Sequence, residues 1–404
     1  MQSSSLRQLS VLMFTVFVDM VGFTMVLPLL PFYATKCGAT ATTVGFLISA
    51  YAFAQFLTAP YWGRLSDRWG RRPMILAGLM MAAAAYVLFG LGDALWILFL
   101  SRFVQGAGGG INGVVQAYVA DAVEPDERAK ALGWLTAATS AGVMIGPAMG
   151  SLATNISREA PGFLAAALCI LNVLSAWHWL PEPERESAVL GPDNKPVPRR
   201  GLRSSIWDVL RHPTAPVPSL IWIYAFGMMA FMAMNAVLAL HLKDAFGVTE
   251  KTIGFFFAYV GAISLVMRAL LLGPAVRRFG EVGVTRLGAL ALVVGLGCIP
   301  LVSTLPWLAV VVIFVPVGTA LLFPATTALV SRRSPRGETG QVLGVQQSFG
   351  SVARMVGPLW AGFLFQKVPG YPFWLAALLM LGVSLLTLRQ RNGQTEPAPS
   401  VARA

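Results

Sequence analysis

Apolar runs long enough to cross a lipid bilayer recur along this chain, with centres near residues 20, 53, 83, 108, 143, 170, 229, 264, 293, 317, 352 and 380. A hydrocarbon core about 30 Å thick is crossed by about 20 helical residues. No water inside lipid satisfies backbone N–H and C=O groups, so each run must close its own hydrogen bonds as a helix. Composition agrees, with 56% of residues hydrophobic and 12% charged. The sequence predicts an all-α membrane protein of twelve transmembrane helices. The first run follows a short polar start containing Arg7 and passes through Pro28 and Pro31 without a small-residue cleavage pattern, which reads as a retained helix and not a signal peptide.

The formal charge of +12 is not gathered in one patch. Lys and Arg alternate with the apolar runs, about twenty-two in loops on the amino-terminal side against about five on the other, the positive-inside asymmetry. Both termini are expected in the cytoplasm. The basic loops hold Arg64, Arg68, Arg71 and Arg72, then Arg277, Arg278 and Arg286, then Arg332, Arg333 and Arg336, and their expected partner is the bilayer surface, not nucleic acid. Three scattered cysteines, Cys37, Cys169 and Cys298, indicate neither a disulfide framework nor a metal site. No nucleotide-binding loop and no nucleophilic or metal-ligand constellation is present, so the expected protein is not an enzyme and needs no cofactor.

One spacing occurs twice, 211 positions apart. Gly133, Gly142, Gly146-Pro147 and Gly150 are matched by Gly344, Ala353, Gly357-Pro358 and Ala361. Small residues let helices approach closely in lipid, and Gly-Pro loosens a helix where neighbours re-satisfy its backbone. The echo predicts two pseudo-symmetric six-helix bundles, residues 1–180 and 217–388. Between them, residues 181–216 read as a cytoplasmic linker rich in proline and charge, including Lys195, Arg199 and Arg200. Within it Ser204 or Ser205 would cap a short helix whose Ile206, Trp207, Val209 and Leu210 meet the interface, a plain solvated linker being the alternative. Residues 389–404 read as a polar cytoplasmic tail.

Residues 63–73, GRLSDRWGRRP, resemble the signature loop of the major facilitator superfamily. Residues 133–150 resemble the fifth-helix motif of its drug-exporting antiporter branch, and Arg102-Phe-Val-Gln105-Gly106 that branch's fourth-helix motif. Asp19, Gly22 and Pro28 are similar to its first-helix pattern, and the amino-terminal half is most similar to bacterial tetracycline/proton antiporters. The resemblance implies a cytoplasmic gate formed by Gly63, Asp67, Arg68, Gly70, Arg71 and Asp121. In it Asp67 caps the start of the eleventh span near Gly340, and Arg71 pairs with Asp121. A topology signal is the plainer use of the same charges. The second copy, GPAVRRFG at 273–280, keeps both glycines but has Arg277 where Asp67 stands, so the two halves are not expected to latch alike. The extra third-helix acid of tetracycline pumps falls here in the run Ala82–Ala85, which has no carboxylate.

Asp19 is the one acid placed deep within a span and is the expected proton carrier, with Arg102 as partner. A permanent structural pair is the alternative. Arg102, Gln105, Gly109, Asn112 and Gln116 share one helix face, a polar stripe that lines either a wet path or polar neighbours. In the second half Arg268, Gln347, Arg354 and Asn235 carry polar groups into spans. Met228 and Met232 stand in a methionine- and phenylalanine-rich seventh span suited to amphiphilic ligands or, equally, to lipid. The favoured reading is a monomeric proton-coupled exporter of small amphiphilic compounds in a bacterial plasma membrane. A facilitator or symporter of an organic anion, which the excess of deep arginines favours, and a non-transporting receptor or lipid-handling protein are the other two.

Overall fold

The computed structural model describes residues 3–183, 202–334, 338–388 and 390. Residues 184–201 of the expected linker, Arg336 and all of the tail except Gln390 lie outside them, as does the side chain of Asn112. Every described element is helical. The first half runs α1 (Ser3–Val26), α2 (Leu30–Lys36), α3 (Ala41–Trp69), α4 (Arg71–Gly90), α5 (Leu95–Gly108), α6 (Ile111–Ala122), α7 (Pro125–Ala153) and α8 (Ala160–Trp179). The second runs α9 (Leu202–Arg211), α10 (Pro216–Phe246), α11 (Ile253–Val266), a π-helical turn Met267–Leu271, α12 (Leu272–Cys298), α13 (Leu305–Val312), α14 (Phe314–Arg333), α15 (Thr339–Lys367) and α16 (Tyr371–Leu388).

Among the described residues eight stretches are long and apolar enough to cross a membrane, one of them the 49-residue stretch Ile253–Leu301 that takes in two expected centres. The centres at 108, 143 and 352 fall outside these eight. The first lies where α5 gives way to α6, and the other two lie on α7 and α15, long helices diluted by glycine, serine and charge.

The chain divides into two compact units. One is Met1–Val189 with Asn235–Leu265 and Pro358–Pro369; the other is Leu190–Met234, Val266–Gly357 and Gly370–Ala404. In the first, α1 packs along α7, and α4 along α8. The contact with α1 explains most of the first Gly-Pro stretch: a Cβ on Gly142 would stand 2.6 Å from the Phe17 carbonyl oxygen, and one on Gly146 2.6 Å from that of Val21. Gly150 meets the Met25 carbonyl in the same way. Gly133 faces open space, so the close approach expected of the whole pattern begins only at Gly142. Leu12, Val16, Ile75, Leu79, Val115 and Tyr118 fill the core between α1, α4 and α6.

In the second unit α12 packs on α14 and α16, and Val284, Leu321 and Ala325 form its core. Gly357 lies against the Met229 carbonyl, 2.7 Å from where its Cβ would be, and Gly344 faces open space like Gly133. Helix α9 begins at Leu202, ahead of both serines expected to cap it, because the chain turns helical a full residue pair earlier. Ser205 instead accepts a hydrogen bond from Gln341 Nε2 at 2.7 Å. Of the four residues expected at the interface, Trp207 and Leu210 are exposed and Ile206 partly so, while Val209 turns inward, and its carbonyl accepts from Trp222 Nε1 at 3.3 Å.

Candidate functional site

Helices α5 and α6 are one interrupted segment. Gly108, Gly109 and Gly110 stand at the break, and side chains of α3 take the carbonyls released there. Trp62 Nε1 donates to Ala107 O at 2.5 Å and Gln55 Nε2 to Gly109 O at 2.9 Å. Freed backbone at membrane depth requires such partners. Beside the break lies a narrow cavity lined by Asp19, Met20, Phe23, Tyr51, Gln105 and Gly109.

Three polar residues give this region its chemistry. Gln105 is 4% exposed and donates through Nε2 to Tyr86 Oη at 2.6 Å, while its Oε1 has no partner. Arg102, one turn earlier on α5, is 1% exposed, with its guanidinium 5.8 Å from the centre of the Phe89 ring and Nε and one terminal nitrogen without partners. Desolvating a cation costs several kcal/mol, and the ring returns about 0.5–2 kcal/mol of it. Asp19 lines the cavity partly exposed and makes no ion pair with Arg102 among the described residues. The permanent pair held open on sequence grounds is therefore not formed. The region holds a buried cation on α5 and a carboxylate on the cavity wall, each with hydrogen-bonding capacity to spare.

At the end of this unit that carries residues 63–73, the loop end, Arg71 is the organising charge. Its Nε donates to Asp121 Oδ2 at 2.8 Å, and NH1 donates to Asp67 Oδ1 at 2.6 Å and Ser66 Oγ at 2.7 Å. Gly70, at φ 108°, makes the turn between α3 and α4, a conformation that costs other residues about 1–2 kcal/mol. Gly63 faces open space, so no close helix contact depends on it. Arg68 is exposed. The cap on α4 comes from a residue the sequence reading left in the linker. The Glu182 carboxylate accepts from the backbone N–H of Arg71 at 2.5 Å and of Arg72 at 2.9 Å, placing negative charge at the positive end of the helix.

The opposite, far end of the same unit brings in the ends of α10, α11 and α15. Lys36 Nζ lies 2.6 Å from Glu250 Oε1. Ser151 Oγ donates to the Glu250 carbonyl at 2.7 Å and accepts the Gly254 N–H at 2.7 Å. Thr42 Oγ1 donates to Gln366 Oε1 at 2.7 Å. Burial pushes the Glu250 carboxyl up, but the Lys36 hydrogen bond, its own backbone amide and the charges of Lys36 and Lys243 outweigh this and hold it below the usual carboxylate range. A depressed carboxyl contributes stability above its unfolded value, about pH 4.3, and loses it as pH falls through the folded value. Glu250→Gln is expected to lower the thermal midpoint by about 1–2 °C, a small effect because Lys36 is half exposed. Melting curves should show that difference unchanged from pH 8 to pH 5 and shrinking below about pH 4.

In the second unit Tyr224, Met228 and Ala353 form a buried cluster flanked by Met229, Phe231, Met232 and Phe323. Tyr224 meets Phe323 edge-on at 5.3 Å. Arg354 is partly buried and donates to Ser351 Oγ at 2.9 Å, whose own hydroxyl donates to the Gln347 carbonyl at 2.9 Å. Arg268 stands exposed on the π-helical turn. Asn235 falls in the first unit, not with the methionines, and Gln116 is exposed. Sequence reasoning missed Tyr86, Glu182, Glu250 and Gln346. The last is fully buried and donates to Thr327 Oγ1 at 3.2 Å, while its neighbour Gln347 carried the polar signal in the sequence.

A family model described as Major Facilitator Superfamily matches residues 12–358 and 220–403. Multidrug resistance protein 2 of Bacillus subtilis (strain 168) is 30% identical over 393 residues, 95% of each chain. The class C tetracycline resistance protein of Escherichia coli is 31% identical over 355 residues, 87% of this chain and 88% of its own. Among solved structures, the human organic anion transporter MFSD10 (TETRAN) superposes with TM-score 0.70 at 23% identity, covering 96% of this chain and 100% of that one.

Proposed function

Because this chain belongs to the Major Facilitator Superfamily, we propose that it exports small amphiphilic compounds in exchange for protons by alternating access. The observation that carries the reading is Asp19. It is a carboxylate on the wall of a cavity that Gln105 also lines, and Gln105 lies one helical turn from the buried, incompletely bonded Arg102. Protonation of Asp19 removes a negative charge from the cavity wall, and loss of the proton restores it, so proton occupancy changes the field along the polar face that carries Gln105 and Arg102. The relatives named for multidrug and tetracycline resistance support export as the direction.

Residues 1–180 and 217–388 act as the two bundles, with 181–216 as linker and 389–404 as tail. The loop end and both termini face the cytoplasm of a bacterial cell, following the excess of Lys and Arg there. The Arg71, Asp121 and Asp67 cluster serves as the inner gate, and the Lys36–Glu250 contacts serve as the outer one. The Tyr224–Met228–Phe323 wall, with Gln347 and Arg354, receives the apolar and polar parts of cargo, and the protein works as a monomer. A second reading, facilitated passage of an organic anion, is favoured by Arg268, which no described carboxylate pairs.

Purified protein in liposomes, given an imposed pH gradient and a panel of anionic, zwitterionic, neutral and cationic amphiphiles, tests this. Uphill accumulation coupled to proton flux is the expected result. Passage indifferent to the gradient and confined to anions would replace the proposal with the second reading.

A further inference from the structure

The charge pair at the loop end of the first unit has a counterpart in the second, and its polarity is reversed. Gly70, at φ 108°, joins α3 to α4; 210 positions later Gly280, at φ 69°, breaks α12 into two helical arms. The residue after Gly70 is Arg71, and the residue after Gly280 is Glu281. Asp121 near the end of α6 corresponds, 211 positions on, to Arg332 near the end of α14. Arg71 Nε meets Asp121 Oδ2 at 2.8 Å, and Arg332 Nε meets Glu281 Oε1 at 3.2 Å. The helix ends correspond, the guanidinium atom is the same, and acid and base have changed places.

The segment leaving the last helix of each half is fastened at the same crossroads. In the first, Glu182 holds the backbone amides that open α4. In the second, the buried Gln390 accepts from Arg286 through its carbonyl at 2.7 Å and donates to Ser219 Oγ at 2.7 Å, and Arg333 bonds its side-chain oxygen. A residue-by-residue comparison with residues 63–73 misses this, because the second copy lacks the acid expected at 277.

We propose that Glu281 and Arg332 are gate-positioning residues of the second bundle, a charge-reversed copy of Arg71–Asp121. They fix the second arm of α12 against the end of α14 and so set the rate of the conformational cycle without touching cargo. The two members differ in exposure. Glu281 is 12% exposed and Arg332 75%. Removing Arg332 leaves a largely buried carboxylate with only the more distant charge of Arg333 to offset it, whereas removing Glu281 leaves a guanidinium already in water. The effects of the two single substitutions are therefore unequal, and the double substitution repairs the worse one.

The test has two arms on full-length protein in liposomes. In the first, which needs no cargo, hydrogen exchange is followed in peptides covering 281–290 and 325–333. Arg332→Gln is expected to speed exchange in both about tenfold, Glu281→Gln about threefold, and the charge swap Glu281→Arg with Arg332→Glu to restore protection to within about threefold, while residues 71–80 do not change. Equal exchange in Arg332→Gln and the native protein, or a swap no better protected than Arg332→Gln, overturns the pair. In the second arm, transport of the compound that the native protein accumulates best is compared. Arg332→Gln should lower turnover about tenfold, which is about 1.4 kcal/mol, with KM within twofold, and Glu281→Gln with Arg332→Gln should recover most of it. A loss confined to KM overturns the gating role. This arm rests on the transport reading: a native protein that accumulates nothing defeats that reading, and the exchange arm still decides the pair.

Discussion

Asp19→Asn is expected to abolish uphill transport driven by a pH gradient, lowering accumulation by at least about a hundredfold, the usual contribution of a positioned acid–base group. The substitution is nearly isosteric and removes the titratable proton. Asp19 makes no ion pair or hydrogen bond among the described residues, so the fold loses no contact with it. The thermal midpoint should stay within about 1 °C of native, since a neutral amide on a cavity wall leaves no stranded partner. Exchange of labelled cargo across the membrane without a gradient should persist, because the Tyr224–Met228–Phe323 wall proposed to receive cargo is untouched. Asp19→Glu should keep part of the coupling. Full gradient-driven accumulation by Asp19→Asn would remove this residue from the mechanism, and a collapse of folding would assign it a structural role instead.

What the sequence made legible follows from how local the underlying physics is. Helices and their apolar lengths are set by each segment's own composition, so every expected span centre falls on or beside a helix. Asp19 stands out because a carboxylate is costly in lipid anywhere, and Arg71 because it lies in a motif read as a whole, whose family resemblance implies Asp121 as its partner. Glu182 was hidden for the opposite reason. It reaches back 111 positions to the Arg71 amide from a stretch whose prolines and charges read only as linker. Glu281–Arg332 was hidden because sequence comparison looks for the same charge, while the structure conserves the geometry of a pair and permits exchange of its members. The Gly-Pro echo was legible as repetition, yet its first glycine in each copy, Gly133 and Gly344, touches nothing. Spacing along a chain shows which residues recur, and only packing shows which of them meet a neighbouring backbone.

That distinction decides where substitution is most damaging. The prolines of the two copies present their carbonyls to glycines that no repeat marks. A Cβ on Gly254 at the start of α11 would overlap the Pro147 carbonyl oxygen and lie 2.6 Å from Ser151 Oγ, and a Cβ on Gly45 in α3 would overlap the Pro358 carbonyl oxygen. Both contacts belong to the far end of the first unit. The obstructing atoms are backbone, held in helices and unable to rotate aside as a side chain would. Overpacking against a yielding core costs about 1–3 kcal/mol, and a fixed carbonyl is less forgiving. A penalty of about 3 kcal/mol on the packed far end shifts its population by about a hundredfold. Gly254→Val is accordingly expected to reduce turnover about a hundredfold and to open the far end, read as faster alkylation of the native Cys37, which stands beside Lys36. Gly45→Val should act in the same direction. Gly133→Val supplies the control, since it lies in the recognisable motif but faces open space, and its turnover should remain within about twofold of native. If Gly133→Val were the damaging substitution and Gly254→Val the silent one, the repeated spacing itself, and not the carbonyl contacts made by its prolines, would hold the far end together.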